Sequence, residues 1–148
     1  MNAVTDVLGG WIADDFQAVF WAAKRAMVEA TNEAYGRHGV YAGQQFILAC
    51  LWDEDGLTPG QIAKTLGLST PTVTRTTARM ETAGLLARRP DPHDRRLVRI
   101  FLTDRGRQLR QDLNEQMAKV SEQALAGLSA TERATLVGYL RRVRDNLT

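Results

Sequence analysis

Apolar residues recur at helical spacing along most of the chain. They return every three or four positions, which places them on one face of a helix. Six stretches show this spacing, at about residues 11–35, 42–52, 59–66, 70–83, 104–126 and 130–147. The first is followed by Gly36-Arg37-His38-Gly39, whose two glycines are expected to end the helix. The pattern therefore predicts a mainly α-helical chain.

One short region, residues 85–102, has a different pattern. Its first apolar run ends at a Pro-Asp-Pro turn at 90–92, because proline cannot donate to a strand ladder. The chain then returns with Val98, Ile100 and Leu102 at every second position, as expected of a half-buried strand. The region therefore predicts a two-stranded β-hairpin within an otherwise helical chain.

The two helices before this hairpin are short and carry clear capping signals. Thr58 can cap the first helix with its hydroxyl, and Gln61, three residues later, can bond back to the cap. Ser69 or Thr70 caps the second helix, and Leu68 is expected to fill the angle between the two. Two short helices followed by a hairpin have the layout of a winged helix-turn-helix, which places its second helix in the major groove of duplex DNA.

The second helix of this pair has an apolar side and a basic side. At about 100° per residue, Val73, Thr77 and Met80 share the core side. The opposite side and its flank carry two arginines and small residues, namely Pro71, Thr72, Arg75, Ala78, Arg79 and Thr82. Arginine suits the edge of guanine, and threonine suits a thymine methyl group or a phosphate. We therefore predict that this helix, the reading helix, contacts the bases.

Basic residues are concentrated in the same part of the chain. The formal net charge is only +2, but residues 58–110 contain 11 basic and 4 acidic side chains, whereas residues 1–57 contain 3 and 8. Such segregation suits the neutralisation of phosphates, and an arginine at the hairpin tip suits a narrow minor groove. The predicted DNA contacts are Ser69, Thr70, Pro71, Thr72, Thr74, Arg75, Arg79, Arg88, Arg89, His93, Asp94, Arg95 and Arg96.

The hairpin also carries a recognisable signature. Asp94-x-Arg96 is followed, after five residues, by Leu102-Thr103, and the segment from Gln45-Phe46 to Gly84-Leu85-Leu86 fits the same pattern. In these features the chain resembles the MarR family of bacterial transcription regulators over most of its length. The resemblance implies an obligate homodimer on palindromic DNA, and usually repression that a small phenolic or other aromatic ligand relieves. It also implies a salt bridge between Asp94 and Arg96, and an approach of Arg95 to the minor groove.

The helices at both ends of the chain have more apolar surface than this small module requires. The first helix carries an apolar stripe and two tryptophans on its other faces. These residues are Trp11, Ile12, Phe16, Val19, Phe20, Trp21, Ala23 and Met27. Because aromatic residues are enriched in interface cores, we expect these helices to form a dimer layer. The prediction is one domain over 1–148, with a DNA-binding lobe at about 41–103 inserted between dimerisation helices at about 1–40 and 104–148. Residues 1–10 are expected to be irregular or to form a short extra helix.

An effector site is expected near the second helix, which is almost entirely apolar and should be buried, including Phe46. His38 and Tyr41 lie where the ligand cavity implied by the resemblance would open, although a polar loop residue and a packing tyrosine are the simpler interpretation. An effector needs an apolar slot with a few polar anchors. The candidate effector-binding residues are Trp11, Phe20, Trp21, Arg25, His38, Tyr41, Phe46 and Cys50.

Other classes of function have less support in the sequence. One cysteine and two histidines 55 positions apart predict neither a disulfide nor a dedicated metal site. No nucleophile–base pair or phosphate loop is evident, so neither an enzyme nor a cofactor is predicted. Two alternatives stay open: redox sensing through Cys50, against an inert buried thiol, and an architectural protein that binds DNA of any sequence. No run reaches the ~20 apolar residues of a membrane span, so a cytoplasmic location is expected.

Overall fold

The computed structural model describes residues 14–148, which fold into helices and a hairpin. The elements are α1 (Asp15–Tyr35), a 3-10 turn (Gly36–His38), α2 (Gln44–Asp53), α3 (Pro59–Leu66), α4 (Thr70–Thr82), β1 (Leu86–Pro90), β2 (Val98–Leu102), α5 (Asp104–Ala124) and α6 (Ala130–Leu147). The prediction of a mainly α chain with a small β-wing is confirmed. The first residues of the predicted N-terminal helix, Trp11 and Ile12, and the ten before them lie outside the described residues.

The caps of the short helices form as the sequence predicts. At α3, the Gln61 N–H donates to the Thr58 hydroxyl at 3.2 Å, and the Thr58 N–H donates to Gln61 Oε1 at 2.9 Å. At α4, Ser69 rather than Thr70 is the cap, and its hydroxyl accepts a hydrogen bond from the Thr72 N–H at 3.3 Å. These bonds satisfy N–H groups that the first turn of a helix leaves without a partner.

The turn between α3 and α4 departs from the prediction in one respect. Leu68 exposes 47% of its surface, so it does not fill the angle between the helices. The buried residues of α3 are Ile62 and Ala63. Gly67 makes the turn with φ of +66°, and the Leu68 N–H then donates to the Ala63 carbonyl at 2.9 Å. The backbone of Leu68 therefore serves the turn, while its side chain stays near the surface.

Helix α2 lies at the centre of the core, as predicted. Its Ile47, Leu48 and Leu51 are at most 2% exposed. The expectation for Phe46 is wrong, since Phe46 is 51% exposed. It lies about 160° around the helix from Leu48, on the side that faces away from the core. The same core continues through Tyr35, Val40, Ile62, Val73, Met80, Leu85, Leu86, Ile100, Leu102, Leu109 and Leu113.

The wing is an antiparallel pair in which Leu86 faces Leu102 and Pro90 faces Val98. Pro90 is therefore the last residue of β1 and not part of the turn, a strand-end position that a residue without an N–H tolerates. The alternation predicted for β2 holds only in its second half, where Ile100 and Leu102 are buried. Val98 is 38% exposed, because the tip of the wing projects beyond the core.

The end helices have apolar surface that the rest of the described chain does not cover. Helix α1 buries Ala18, Thr31 and Tyr35, whereas Phe16 and Val19 of the predicted stripe are about half exposed. Helix α5 buries Leu109, Leu113 and Val120, but α6 buries none of its residues against residues 14–148. The exposed apolar residues of α6 are Leu136, Val137, Tyr139, Leu140 and Leu147.

Within residues 14–148, no helix combines the length and the apolar character needed to cross a membrane.

Candidate nucleic-acid interface

Helix α4 separates a buried side from an arginine side along the predicted division. Val73, Thr77 and Met80 are at most 1% exposed. Arg75, on the opposite side, is exposed, as is Arg79 on the flank. Since the apolar side is fully used by the core, the side that carries Arg75 is the one left for a ligand outside the protein.

Threonine hydroxyls along α4 are bonded to the helix itself. Thr74 Oγ1 donates to the Thr70 carbonyl at 3.0 Å, and Thr76 Oγ1 donates to the Thr72 carbonyl at 2.9 Å. A hydroxyl bonded in this way has used its proton but keeps a lone pair. Thr74 can therefore accept from the amino group of a base, or offer its methyl group to thymine, better than it can donate.

The first half of α4 and the wing line one cleft of about 400 Å³. Its walls include Thr70 and Thr74 from α4, Arg96 and Val98 from the wing, and residues 58–60 at the start of α3. The start of the reading helix and the wing therefore lie on the same face of the molecule, and a duplex that contacts one can contact the other.

Arg88, one of the predicted DNA contacts, is held by an acidic partner within the lobe. Its Nε and Nη2 donate to the Glu81 carboxylate, each at 3.2 Å, and its backbone N–H donates to the same group at 3.0 Å. The side-chain hydrogen bond from Arg88 is the main cause that lowers the pKa of Glu81. Arg88 thus connects β1 to the end of α4. The Glu81 carboxylate neutralises part of the Arg88 charge in the absence of DNA.

Arg89, the next predicted contact, lies on the outer face of the hairpin. Its guanidinium carbon is 4.9 Å from the centre of the Phe101 ring, a cation–π arrangement. Residues 87, 89, 99 and 101 share this face, because directly opposed residues of an antiparallel pair point to the same side. Arg89 therefore lies on the opposite face of the hairpin from Arg88, although both line one cleft with Glu81 and Arg95.

The wing tip is organised by Asp91, a residue that sequence reasoning treated only as part of the turn. Its carboxylate is 4% exposed and accepts from the backbone N–H groups of His93 at 2.7 Å and Asp94 at 2.9 Å. Its other oxygen accepts from Nε of Arg99. Arg99 Nη1 also donates to the Gly56 carbonyl at 2.9 Å. The tip is thereby connected to the turn between α2 and α3.

The charge of Asp91 persists through the neutral range. The Arg99 guanidinium, followed by the N–H groups of His93 and Asp94, lowers the pKa of Asp91 from 3.8 to about 2. Because the folded value is below the ordinary one, the stabilisation from this network is complete above pH 3.8 and is lost as the pH falls through about 2. The network therefore holds the tip at any pH at which DNA binding would be measured.

The residues of the wing signature lie at the outer end of the loop. Arg96 Nε and Asp94 Oδ1 are 3.2 Å apart, and the Arg96 N–H donates to the same oxygen at 3.0 Å. The Arg96 side chain is 90% exposed, so this pair is well solvated. Arg95 is exposed at the tip, as is His93, whose backbone is held by Asp91.

Sequence reasoning missed the contacts that fix the base of the wing. Asp55 Oδ1 accepts from the Leu102 N–H at 2.9 Å, and Leu57 forms an isolated antiparallel bridge with Ile100. An Asx-type turn could have been suspected at Asp91, since aspartate often bonds the backbone two residues later. The Arg99 and Asp55 partnerships join separate parts of the chain, and no local pattern reports them.

The candidate effector-binding residues are spread over the structure. Phe20 and Trp21 stack edge to face on α1, with ring centres 5.5 Å apart, and Trp21 Nε1 donates to Gln17. Tyr41 lines a cleft of about 390 Å³ with Gly39, Ala42, Gln44, Thr76, Arg79 and Ala83. Four other clefts of residues 14–148 include none of these candidates. Arg25 and Phe46 are exposed, His38 is half-buried, and Trp11 lies outside the described residues.

Cys50 is half-buried on α2. Burial is the largest cause that raises the pKa of its thiol, and Asp53 raises it further. The thiolate is the reactive form of cysteine, and reactive cysteines have lowered pKa values. The raised pKa of Cys50 is therefore opposite in direction to the shift that is typical of reactive cysteines.

This fold and this surface define a winged helix-turn-helix protein with a cationic reading helix. Residues 40–98 match the model of the MarR family. TtmR of Methylorubrum extorquens (strain PA1), named as an HTH-type transcriptional regulator, is 33% identical over 127 residues, which are 86% of this chain and 64% of TtmR. YwaE of Bacillus subtilis (strain 168), an uncharacterized HTH-type transcriptional regulator, is 30% identical over 129 residues, which are 87% of this chain and 75% of YwaE. The chain belongs to the MarR family, and it spans less than two thirds of the length of TtmR.

Solved structures show the same fold. The transcriptional regulator SlyA has a TM-score of 0.79 and 25% identity, covering 90% of this chain and 94% of SlyA. Reduced AbfR bound to DNA has a TM-score of 0.78 and 23% identity, covering 91% of both chains. PcaV from Streptomyces coelicolor, in complex with its natural ligand, has a TM-score of 0.78 and 25% identity, covering 92% of this chain and 96% of PcaV.

Proposed function

We propose that this protein is a sequence-specific regulator of transcription that binds double-stranded DNA as a homodimer. The observation that carries the proposal is the shared face of α4 and the wing, on which Thr70, Thr74 and Arg96 line one cleft. Arg75 lies on the exposed side of α4. In helix-turn-helix proteins this helix enters the major groove. The DNA-bound AbfR neighbour supports the proposal, because it has the same fold.

Within this proposal, the DNA contacts divide into two kinds. Arg75 and Thr74 contact base edges from the reading helix, while Arg79 contacts a phosphate from the flank. Arg95 contacts the minor groove or the backbone beside it. The pairing of Arg88 with Glu81 makes it a weaker contact than the sequence alone suggests.

The homodimer is supported by the apolar surface of the end helices. Phe16, Val19 and Met27 of α1 and the apolar residues of α6 are exposed in the single chain. A groove between α1 and α5 is lined largely by alanines, together with Met27 and Val120. Exposed apolar surface of this kind is typical of a protein interface. A second copy of the chain would cover it and would place two reading helices on half-sites about one helical turn apart, as a palindromic operator requires.

Repression relieved by a small aromatic effector is the finer part of the proposal. PcaV, a neighbour in fold, was determined with its natural ligand. In this chain, the cleft beside Tyr41 extends from the start of α2 to Arg79 on α4. A ligand in it would contact the reading helix directly. The other effector-binding candidates, including Phe20, Trp21 and Phe46, stay predictions. The raised pKa of Cys50 argues against the redox alternative.

The deciding experiment is a competition assay with purified protein. We expect the protein to elute as a dimer and to bind a fragment of its own promoter region in the presence of a large excess of genomic DNA. A fragment of the same composition with shuffled sequence is the control. If genomic DNA and the shuffled fragment compete as well as the promoter fragment, the protein is an architectural binder and the proposal is wrong.

A further inference from the structure

Two helix ends meet at the side chain of Arg105. Its Nη1 donates to the Ala83 carbonyl at 2.9 Å, at the end of α4, and its Nη2 donates to the His38 carbonyl at 2.8 Å, at the end of the turn that follows α1. Both chain segments reverse directly afterwards, at Gly84 with φ of +78° and at Gly39 with φ of +71°. One guanidinium thus joins α1, α4 and α5.

A basic residue at the position of Arg105 interacts unfavourably with the dipole of its own helix. It lies in the first turn of α5, where the helix dipole is positive and favours acidic residues such as its neighbour Asp104. The two carbonyl groups explain the exception, because each stands at a helix end that carries negative partial charge. A planar guanidinium can donate to both at once from separate nitrogens, which the single ammonium of lysine cannot do with the same geometry.

The start of α5, which carries Arg105, is itself fixed by contacts with α2 and with the turn after α4. Trp52 Nε1 of α2 donates to the Gly106 carbonyl at 2.9 Å. A Cβ at Gly106 would overlap the Leu85 carbonyl oxygen, so α5 lies directly against the turn after α4. Thr103 Oγ1 also donates to the Gly84 carbonyl at 2.7 Å. Thr103 therefore joins α4 to α5 alone, whereas Arg105 adds the end of α1.

We propose that Arg105 is a positioning residue that fixes the direction of the reading helix relative to the dimer layer, and thereby the half-site spacing that the dimer accepts. The inference rests on the proposed function, because α1 and α5 belong to the helices assigned there to dimerisation. Without the guanidinium, α4 stays attached to α5 through Thr103 but loses its hydrogen-bonded link to the end of α1, so that only the apolar core around Tyr35 and Met80 still joins the two. Each reading helix can then tilt, and the pair tolerates half-sites that are closer together or further apart.

The test compares operators that differ only in the separation of their half-sites. One added base pair moves the half-sites apart by about 3.4 Å and rotates them by about 35°. Affinities are measured for spacings from one base pair shorter to two longer, and each variant is normalised to its own best operator, so that a general loss of binding cancels. The variants are Arg105→Gln, Arg105→Lys, which keeps the charge, and Arg110→Gln, which removes a charge further along the exposed surface of α5.

We expect both Arg105 variants to reduce the discrimination against wrong spacings by about 3- to 10-fold, as for other residues that couple packed elements. Arg110→Gln should keep the spacing profile of the unmodified protein, and Arg105→Lys should keep its salt dependence. Unchanged profiles in both Arg105 variants, or an equal change in Arg110→Gln, would overturn the inference while the unmodified protein still binds its operator. Failure of the unmodified protein to bind any operator specifically would instead reject the proposed function, and the role of Arg105 with it.

Discussion

The reading helix and the wing share one face of the molecule but are held in place by different forces. Val73 and Met80 fix α4 by complete burial in the core. The outer half of the wing has little core to bury against, since Leu97 is 44% exposed and Val98 is 38% exposed. Its loop is held by hydrogen bonds to the Asp91 carboxylate and by Arg99. Apolar packing therefore holds the reading helix in place, and a polar network holds the wing in place.

This difference fits what each element is proposed to read. A bidentate contact to a base edge needs a side chain in a fixed place, and close packing supplies such a place. A wing that follows groove width and phosphate charge needs a defined loop shape with basic groups at its tip. Substitutions in the two elements should therefore have different effects on DNA binding. Those in α4 should reduce the preference for particular bases, and those in the wing should reduce affinity for all sequences alike.

The largest effect on DNA binding is expected from Arg75→Ala. A bidentate contact from arginine to guanine is worth about 1–3 kcal/mol, and a symmetric dimer makes it twice, so the total loss is about 2–6 kcal/mol. The loss should be concentrated at one symmetric pair of operator positions. It is measured as affinities for operators substituted one position at a time, at fixed salt.

Arg79→Ala is the matched control on the same helix. From the flank it should weaken all operator variants by a similar factor, as loss of a phosphate contact does. If Arg75→Ala also weakens every variant equally, Arg75 contacts only phosphate, and the assignment of base reading to that side of α4 is wrong.

Sequence and structure agree where the determinants are local. The caps at Thr58 and Ser69 and the buried side of α4 follow from residues three or four positions apart. The Asp91–Arg99 pair could not be predicted in the same way, because either residue has other charged neighbours on the hairpin. The residues Arg105 and His38, which are in contact, are 67 positions apart in the sequence. A periodic pattern cannot predict a contact over that separation. Exposure was misjudged at Leu68 and Phe46, since a pattern identifies apolar residues but not which of them the fold covers.

Met80→Ala should show that α4 depends on apolar packing. Met80 is fully buried, and truncation of such a side chain to alanine costs about 2–5 kcal/mol in the free energy of unfolding. Urea unfolding at a fixed protein concentration measures the loss. Thr82→Ala, on the exposed side of the same helix, should change stability by less than about 0.5 kcal/mol. Equal effects of the two changes would mean that the core does not position α4.

Asp91→Ala should weaken DNA binding although it removes a negative charge from the wing tip. Loss of the carboxylate frees the loop, and re-ordering even one residue on binding costs about 1–2 kcal/mol, or roughly 5- to 30-fold in affinity per protomer. Asp91→Asn keeps an oxygen for the His93 and Asp94 N–H groups but loses the ionic partner of Arg99, so its loss should be smaller. Titrations of one operator with both variants decide the matter, and tighter binding by Asp91→Ala would contradict the network.

Arg95→Ala should remove charge from the wing tip without changing the shape of the loop. The loss of one phosphate contact weakens binding about fivefold for each protomer at physiological salt. It should lower the slope of log affinity against log salt by about one for each protomer, and by the same amount on related operators. Affinities at several salt concentrations test this, with Arg110→Gln as a charge-matched control. An unchanged slope would remove Arg95 from the interface.

The smallest effect is expected from Asp94→Ala, and its contrast with Asp91→Ala sharpens the comparison. Both changes remove one acidic charge from the same loop. Asp94 pairs with a guanidinium that is 90% exposed, and exposed pairs contribute about 0.2–1 kcal/mol. Asp91 is buried and bonded to three groups. If loop shape governs binding, both variants bind more weakly and Asp91→Ala is the weaker of the two. If charge alone governs binding, both bind more tightly and by similar factors. Side-by-side titrations of the two variants on one operator, at two salt concentrations, separate these outcomes, since a charge effect shrinks at high salt and a shape effect does not.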